Sequence, residues 1–203
     1  MQTTHFHILL LAAGLSSRMG QPKQFLTIQG NSLLTRSATA AIKSKAFRTW
    51  VVLGNQAERA TELLKSLPVS LVINEHFQLG MGSSLTYGVK SVLNSGDPVD
   101  GILVMVCDQP HVTTAHLNKL LHTCIESGAQ LVVSQYDNSI GVPAVFGKSY
   151  VDQLLLLNPE QGAKSIIHQH LSEVKTVSLT GGEIDLDTPE DLARFLQARN
   201  KKS

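Results

Sequence analysis

Four short runs of the chain are almost wholly apolar: Phe6–Leu11, Trp50–Leu53, Leu71–Ile73 and Ile102–Val106. A strand with one face in water alternates polar and apolar residues, so uninterrupted runs of this length mark strands buried on both faces. Between them lie segments with apolar residues at helical spacing, Ser32–Lys45, Ala57–Leu67 and Ser83–Leu93, and a fourth follows at Thr114–Ser127. That alternation demands crossover connections, which set the strands parallel and put helices on both faces. Later segments, Leu131–Gln135, Pro143–Phe146 and Val174–Leu179, are more strand-dense and are expected to form a mixed edge. Pro189–Ala198 carries Leu192, Phe195 and Leu196 at helical spacing and is expected to close the chain as a helix. The expected fold is a three-layer α/β/α domain with a mostly parallel mixed sheet. At 203 residues the chain suits one domain, 1–203, with a core that needs no staples.

Ligands of such sheets sit beyond the carboxyl ends of the strands. The loops after Leu11, Leu53 and Val106 are therefore where chemistry is expected. A net charge of +1 supplies no general field for nucleic acid or an anionic membrane, so phosphate binding has to come from local arrangement. The loop Leu11–Lys23 provides one: Leu11, Ala12, Ala13 and Gly14 are followed by Ser17, Arg18, Gly20 and Lys23. Its glycines allow close backbone approach and free N–H groups, while Arg18 and Lys23 add positive charge. It is not a Walker loop, because Gln21 and Pro22 follow Gly20 where Lys and Ser/Thr are required. Nor is it a dinucleotide fingerprint, since no G-x-G-x-x-G spacing occurs after any expected strand. The competing reading is a glycine turn with two solvated cations.

Asp108 ends the apolar run Ile102–Cys107 and should face the crevice, where a carboxylate can hold magnesium between phosphate oxygens. Capping of the turn before Pro110 is the alternative. Asp185 and Asp187 stand before Thr188-Pro189, with Asp191 three residues after the threonine. Capping of the terminal helix explains them as well as metal ligation does. The segment Gly80-Met-Gly-Ser-Ser-Leu places hydroxyls and free N–H groups at a helix start, through Gly82 and Ser83. An ordinary serine cap is the plainer reading there.

Cys107 and Cys124 read as buried thiols of a reducing compartment, with no adjacent base to activate Cys107. The pairs His5/His7 and His168/His170 lack the partners of a zinc site and read as packing or surface residues. Phe6–Ala13 has no basic segment before it, and Arg18 and Lys23 follow where a cleavage site would stand. No run approaches the roughly 20 apolar residues of a membrane span. A soluble, cytoplasmic protein is expected.

Taken together, Leu11–Lys23, Cys107-Asp-Gln-Pro and Asp185-Leu-Asp-Thr-Pro-Glu-Asp-Leu resemble the MobA-like NTP transferases. Gly80-Met-Gly-Ser-Ser-Leu, Gly141-Val-Pro-Ala-Val-Phe and Gly162-Ala-Lys extend the match in order over nearly the whole chain. Within that family the motifs are most similar to the molybdenum cofactor cytidylyltransferase (MocA-like) branch. The resemblance implies a Rossmann-like, glycosyltransferase-A type nucleotidyltransferase fold. It also implies a first loop around the triphosphate, magnesium on Asp108 and Asp187, and nucleotide contacts from Asn55 and Asn74. Arg18 and Lys23 are assigned to the charge that develops on the phosphates. Ala13 stands where the guanylyl branch carries glycine, which points to CTP as donor. The implied acceptor is a phosphorylated small molecule such as molybdopterin, held near Pro143, with a molybdoenzyme as downstream partner; Lys164 suits the acceptor phosphate or the triphosphate tail, and a solvated helix lysine is the plainer reading of it. Two departures leave the acceptor open: Val142 replaces the histidine usual before that proline, and Tyr136-Asp-Asn-Ser lacks the usual arginines. Transfer to a sugar or polyol phosphate, and nucleotide binding without turnover, stay as alternatives.

Overall fold

The computed structural model of the chain describes residues 4–14, 22–137, 139–182, 184, 186, 191 and 195. A seven-stranded sheet runs in the order β5-β4-β1-β6-β8-β7-β9. Its strands are β1 (Phe6–Ala12), β4 (Arg48–Leu53), β5 (Ser70–Ile73), β6 (Gly101–Val106), β7 (Leu131–Tyr136), β8 (Ser139–Gly147) and β9 (Lys175–Ser178). β1 pairs in parallel with β4 and β6, β4 with β5, and β7 with β9. Only β8 runs the other way, antiparallel to both β6 and β7. The sheet is thus mixed as expected, but the reversed strand lies inside it and β9 forms the edge.

All seven residues of β1 are buried, and their alternation splits the core in two. Ile8, Leu10 and Ala12 face one side with α1 (Leu33–Ile42), α2 (Ala57–Leu64) and α4 (Thr114–Ser127). Leu9 and Leu11 face the other with α3 (Met81–Leu93), α5 (Val151–Leu155) and α6 (Ala163–Gln169). The side of each helix follows from chain direction. The chain winds from β1 to β4 to β5 by way of α1 and α2, then returns across β1 to β6. A crossover that reverses direction must pass over the opposite face to keep its hand, and α3 does so. Helix starts are locally specified: Ser32 accepts the Thr35 N–H at 3.0 Å to cap α1, and Thr113 caps α4 through the His116 N–H at 3.3 Å.

The chain also forms a small hairpin that sequence periodicity does not reveal, β2 (Thr27–Ile28) with β3 (Asn31–Ser32). Its turn residues Gln29 and Gly30 have φ of 51° and 80°, the double positive φ of a tight hairpin turn. Leu26 and Ile28 from this hairpin pack with Leu33, Leu186 and Phe195. Of the expected terminal helix, only Asp191 and Phe195 fall within the described residues, and both are helical. Among the described residues no helix is long and apolar enough to cross a membrane.

Two histidines, His7 and His116, are packed in the interior, whereas His168 is exposed. His7 is fully buried; its Nδ1 accepts from Trp50 Nε1 at 3.1 Å, so Nε2 carries the proton given to the Pro98 carbonyl. Burial lowers the pKa of His7 and takes that of His116 down to about 4. His116 Nε2 lies 2.8 Å from Ser134 Oγ, which in turn donates to the Pro143 carbonyl at 2.6 Å. Both rings are therefore neutral structural groups. Cys124 is raised to about 11 by burial, and burial also pushes Cys107 far up, which removes it as a nucleophile at neutral pH.

Candidate active site

The sheet's strand order reverses between β1 and β6, and there the carboxyl ends of two parallel neighbours open into a crevice. A cavity of about 370 Å³ occupies it. Its floor is Leu11, Ala12, Ala13 and Gly14 on one side and Val106, Cys107 and Asp108 on the other. Strand pairing fixes this meeting, since Leu11 lies opposite Val106 in the β1–β6 register. Two segments 95 residues apart in sequence are thereby held side by side.

Lys23 enters the same cavity. It opens a one-turn helix, Lys23–Phe25, closed by the Phe25 N–H to the Pro22 carbonyl at 3.1 Å. Gln24 is buried and donates to the Asn55 carbonyl at 3.3 Å, and Phe25 is buried beneath Arg59, whose guanidinium carbon lies 4.1 Å from the ring centre. With its backbone so fixed, Lys23 extends Nζ to within 3.2 Å of Asp108 Oδ2. The side chains are 15% and 24% exposed, so the pair is poorly screened and holds both groups at the cavity wall.

The third wall comes partly from the segment already singled out at Gly80–Leu85 and partly from Phe77 and Gln78, which sequence reading did not select. Phe77, Gln78, Gly80 and Met81 line the cavity together with Ser84. Phe77 stacks on the end of β4, where a Cβ on Gly54 would lie 2.6 Å from the Phe77 ring. Hence Gly54 has no side chain because the ring occupies its place. Aromatic and methionine side chains after β5 beside glycines were the available signal, but they also suit a plain core.

The remaining expected residues divide. Asn55 follows β4, its N–H 3.5 Å from the Ala13 carbonyl, and so ties the second loop to the first. Asn74 is 1% exposed, and its amide is spent inside the protein: it donates to Ser83 Oγ at 2.9 Å and Ser84 Oγ at 3.0 Å and accepts from the His76 N–H at 3.0 Å. It fastens β5 to α3. The free N–H groups expected at Gly82 and Ser83 are not free, because both donate to the Pro159 carbonyl, at 2.8 and 3.2 Å. Nor is Ser83 the cap: α3 begins at Met81, and Ser83 Oγ donates back to the His76 carbonyl. The reason is the turn at 158–161, which packs against the helix start.

Pro143 is buried where β8 slips out of register with β7, one residue past the Val104–Ala144 pairing with β6. A proline cannot donate to a ladder and is tolerated at such a bulge. Lys164 is exposed in the first turn of α6, two residues after Gly162, which abuts Met81 of the cavity wall. Ser17, Arg18, Gly20, Asp185 and Asp187 lie outside the described residues. Leu186, between those two aspartates, is fully buried, and its N–H donates to the Asp108 carbonyl at 3.2 Å.

The residues present fit a small hard cation. Asp108 offers carboxylate oxygen at a partly exposed wall, the donor that magnesium or manganese takes, and no thiol or imidazole competes in the cavity's described lining except the Cys107 thiol, which burial keeps protonated. Among the described residues no cluster of three or more His, Cys, Asp or Glu could hold a metal. A cation here would rest on one or two carboxylates, with water and phosphate oxygens for the rest, as magnesium does.

Comparison with known proteins bears on the family and the fold. A family model described as the MobA-like NTP transferase domain matches residues 8–174. The purine catabolism protein PucB of Bacillus subtilis is 28% identical over 203 residues, covering 94% of this chain and 96% of its own. The crystal structure of Rv0371c from Mycobacterium tuberculosis superposes with a TM-score of 0.83 at 26% identity, covering 97% of this chain and 100% of that one. A structure of Rv0371c in complex with manganese superposes with a TM-score of 0.78 at 23% identity, covering 96% and 99%.

Proposed function

This chain belongs to the MobA-like NTP transferase family, and on that footing we propose that it transfers CMP from CTP to a phosphorylated small molecule and releases pyrophosphate. The observation that carries the reading is the cavity at the β1/β6 switch point, which gathers Ala12, Ala13, Gly14, Lys23 and Asp108. An acceptor oxygen attacks the α-phosphorus in line with the departing pyrophosphate. Such a reaction asks for positioning and charge stabilisation more than for covalent chemistry. The small residues at 12–14 let the backbone approach the triphosphate. Lys23 and Arg18 take up its developing charge, and Asn55 keeps the second loop beside the first. Asp108 would hold the divalent cation, which when bound would neutralise charge on the phosphates. Asp187 is the second ligand in this reading, supported by the hydrogen bond that Leu186 makes to the Asp108 carbonyl. Magnesium is the expected ion, and a protein of this fold solved with manganese is consistent with that donor set. A phosphate monoester acceptor is already ionised near neutrality and needs no general base.

The acceptor follows from resemblance more than from geometry. A molybdopterin-type phosphate, with a molybdoenzyme as later partner, is the first candidate, and the exposed Lys164 rather than the buried Pro143 is the group suited to meet it. Val142, in place of histidine beside Pro143, favours keeping a sugar or polyol phosphate as the second. The test is pyrophosphate release with each nucleoside triphosphate, magnesium and both acceptor classes. CTP is expected to be the fastest donor by about tenfold, a difference of about 1.4 kcal/mol in transition-state binding. Ala13→Gly is expected to narrow the CTP/GTP ratio. An unchanged ratio removes the donor argument, and nucleotide binding without release under every acceptor points to a regulator instead.

A further inference from the structure

The contact between Lys23 and Asp108 carries a consequence for the order in which ligands bind. We propose that Lys23 holds the cation position at Asp108 while the site is empty, and keeps a divalent ion out until a triphosphate draws the ammonium away. Metal and nucleotide then bind as one unit. The inference rests on Asp108 being the metal ligand.

The geometry points this way in three respects. Lys23 Nζ is 3.2 Å from Asp108 Oδ2, so the ammonium stands where a cation bound to that oxygen would have to come. Both side chains are largely covered, 15% and 24% exposed, so repulsion between the ammonium and an arriving dication is not lost to solvent screening as it would be on an open surface. Finally, the backbone of Lys23 is held by the turn Pro22–Leu26 and by buried Gln24 and Phe25, so a change of partner would fall to the side chain. A lysine side chain has four rotatable carbons and a compact ammonium, which suits a change of partner within one cavity. Gly14 and Ala13, which line the same cavity, lie on the side where triphosphate oxygens are proposed to sit. Transfer of Nζ from Asp108 to those oxygens exchanges one anionic partner for another and uncovers the carboxylate. By linkage, nucleotide then raises metal affinity and metal raises nucleotide affinity by the same factor.

The test compares the wild-type protein with Lys23→Met, Lys23→Arg and Asp108→Asn. Manganese binding without nucleotide is read from the electron paramagnetic resonance signal of free manganese, and tripolyphosphate binding in chelator from calorimetry. Lys23→Met is expected to bind manganese alone about tenfold more tightly than the wild type and tripolyphosphate at least tenfold more weakly. Lys23→Arg should stay close to the wild type in the manganese measurement. Effects of opposite sign distinguish an occupant of the cation site from a merely structural lysine, which would move both affinities the same way. Lys23→Gln replaces the methionine variant if that one melts early. Unchanged manganese affinity in an uncharged, folded Lys23 variant overturns the inference, and if Asp108→Asn still abolishes manganese binding the metal reading stands without it. Undiminished manganese binding in Asp108→Asn overturns both.

Discussion

Asp108→Asn is expected to lower pyrophosphate release about a thousandfold or more, a loss of about 4 kcal/mol in transition-state stabilisation, of the size expected for a metal's charge-stabilising contribution. The fold should not notice. The carboxylate is 24% exposed and lies in the crevice wall, while the segment itself is held by main-chain bonds: the Cys107 carbonyl accepts from Ser37 Oγ at 3.3 Å and the Asp108 carbonyl from the Leu186 N–H. Steady-state rates beside a thermal melt check this. Normal turnover in a folded variant excludes Asp108 as the metal ligand, and collapse of the melt would mean that its role is structural.

The second large effect lies away from the proposed chemistry, at Gly82. A Cβ there would stand 2.1 Å from the Asn158 carbonyl oxygen and 2.4 Å from that of Gln161. These are backbone atoms, so relief requires the 158–161 turn to part from α3, and both hydrogen bonds to the Pro159 carbonyl go with it. Gly82→Ala is expected to cost about 3 kcal/mol or more, lowering the melting temperature by about 10 °C in a chain of this size. Activity should fall too, because Met81 on the same turn lines the cavity. Gly14→Ala is the contrast: an added Cβ meets nothing within 4 Å, so stability should change by less than about 0.5 kcal/mol. Equal melts for the two variants would contradict this account of the helix start.

These two glycines show why the fold was more legible than the site. Core strands announce themselves through composition: Phe6–Leu11 was readable because no polar face interrupts it apart from His7, itself buried. Helices were readable from periodicity, with ends displaced by a few residues, as where Ala57–Leu67 contracts to Ala57–Leu64. Short or exceptional elements were not. The two-residue strands β2 and β3 have no period to detect, and β8 was read only over Pro143–Phe146 because it begins at Ser139 among polar residues and a glycine. Likewise α5 and α6 are too short, at five and seven residues, to stand out. For the site, the positions of Asp108 and the first loop followed from where strands end. What could not be read was who satisfies whom. Gly82 and Ser83 looked like open donors because the Pro159 carbonyl that fills them lies more than 75 residues away, and Asn74 looked free for a nucleotide while its amide is consumed between β5 and α3. The pairing of Lys23 with Asp108, 85 residues apart, is likewise a product of sheet order.

The most direct measurement follows the α-phosphorus. With CTP labelled at that position, magnesium and a phosphorylated acceptor, the label is expected in the acceptor as a pyrophosphate diester, with unlabelled pyrophosphate released in equal amount. Label retained in free CMP or CDP, or acceptor carrying the γ-phosphorus instead, would contradict nucleotidyl transfer at this site.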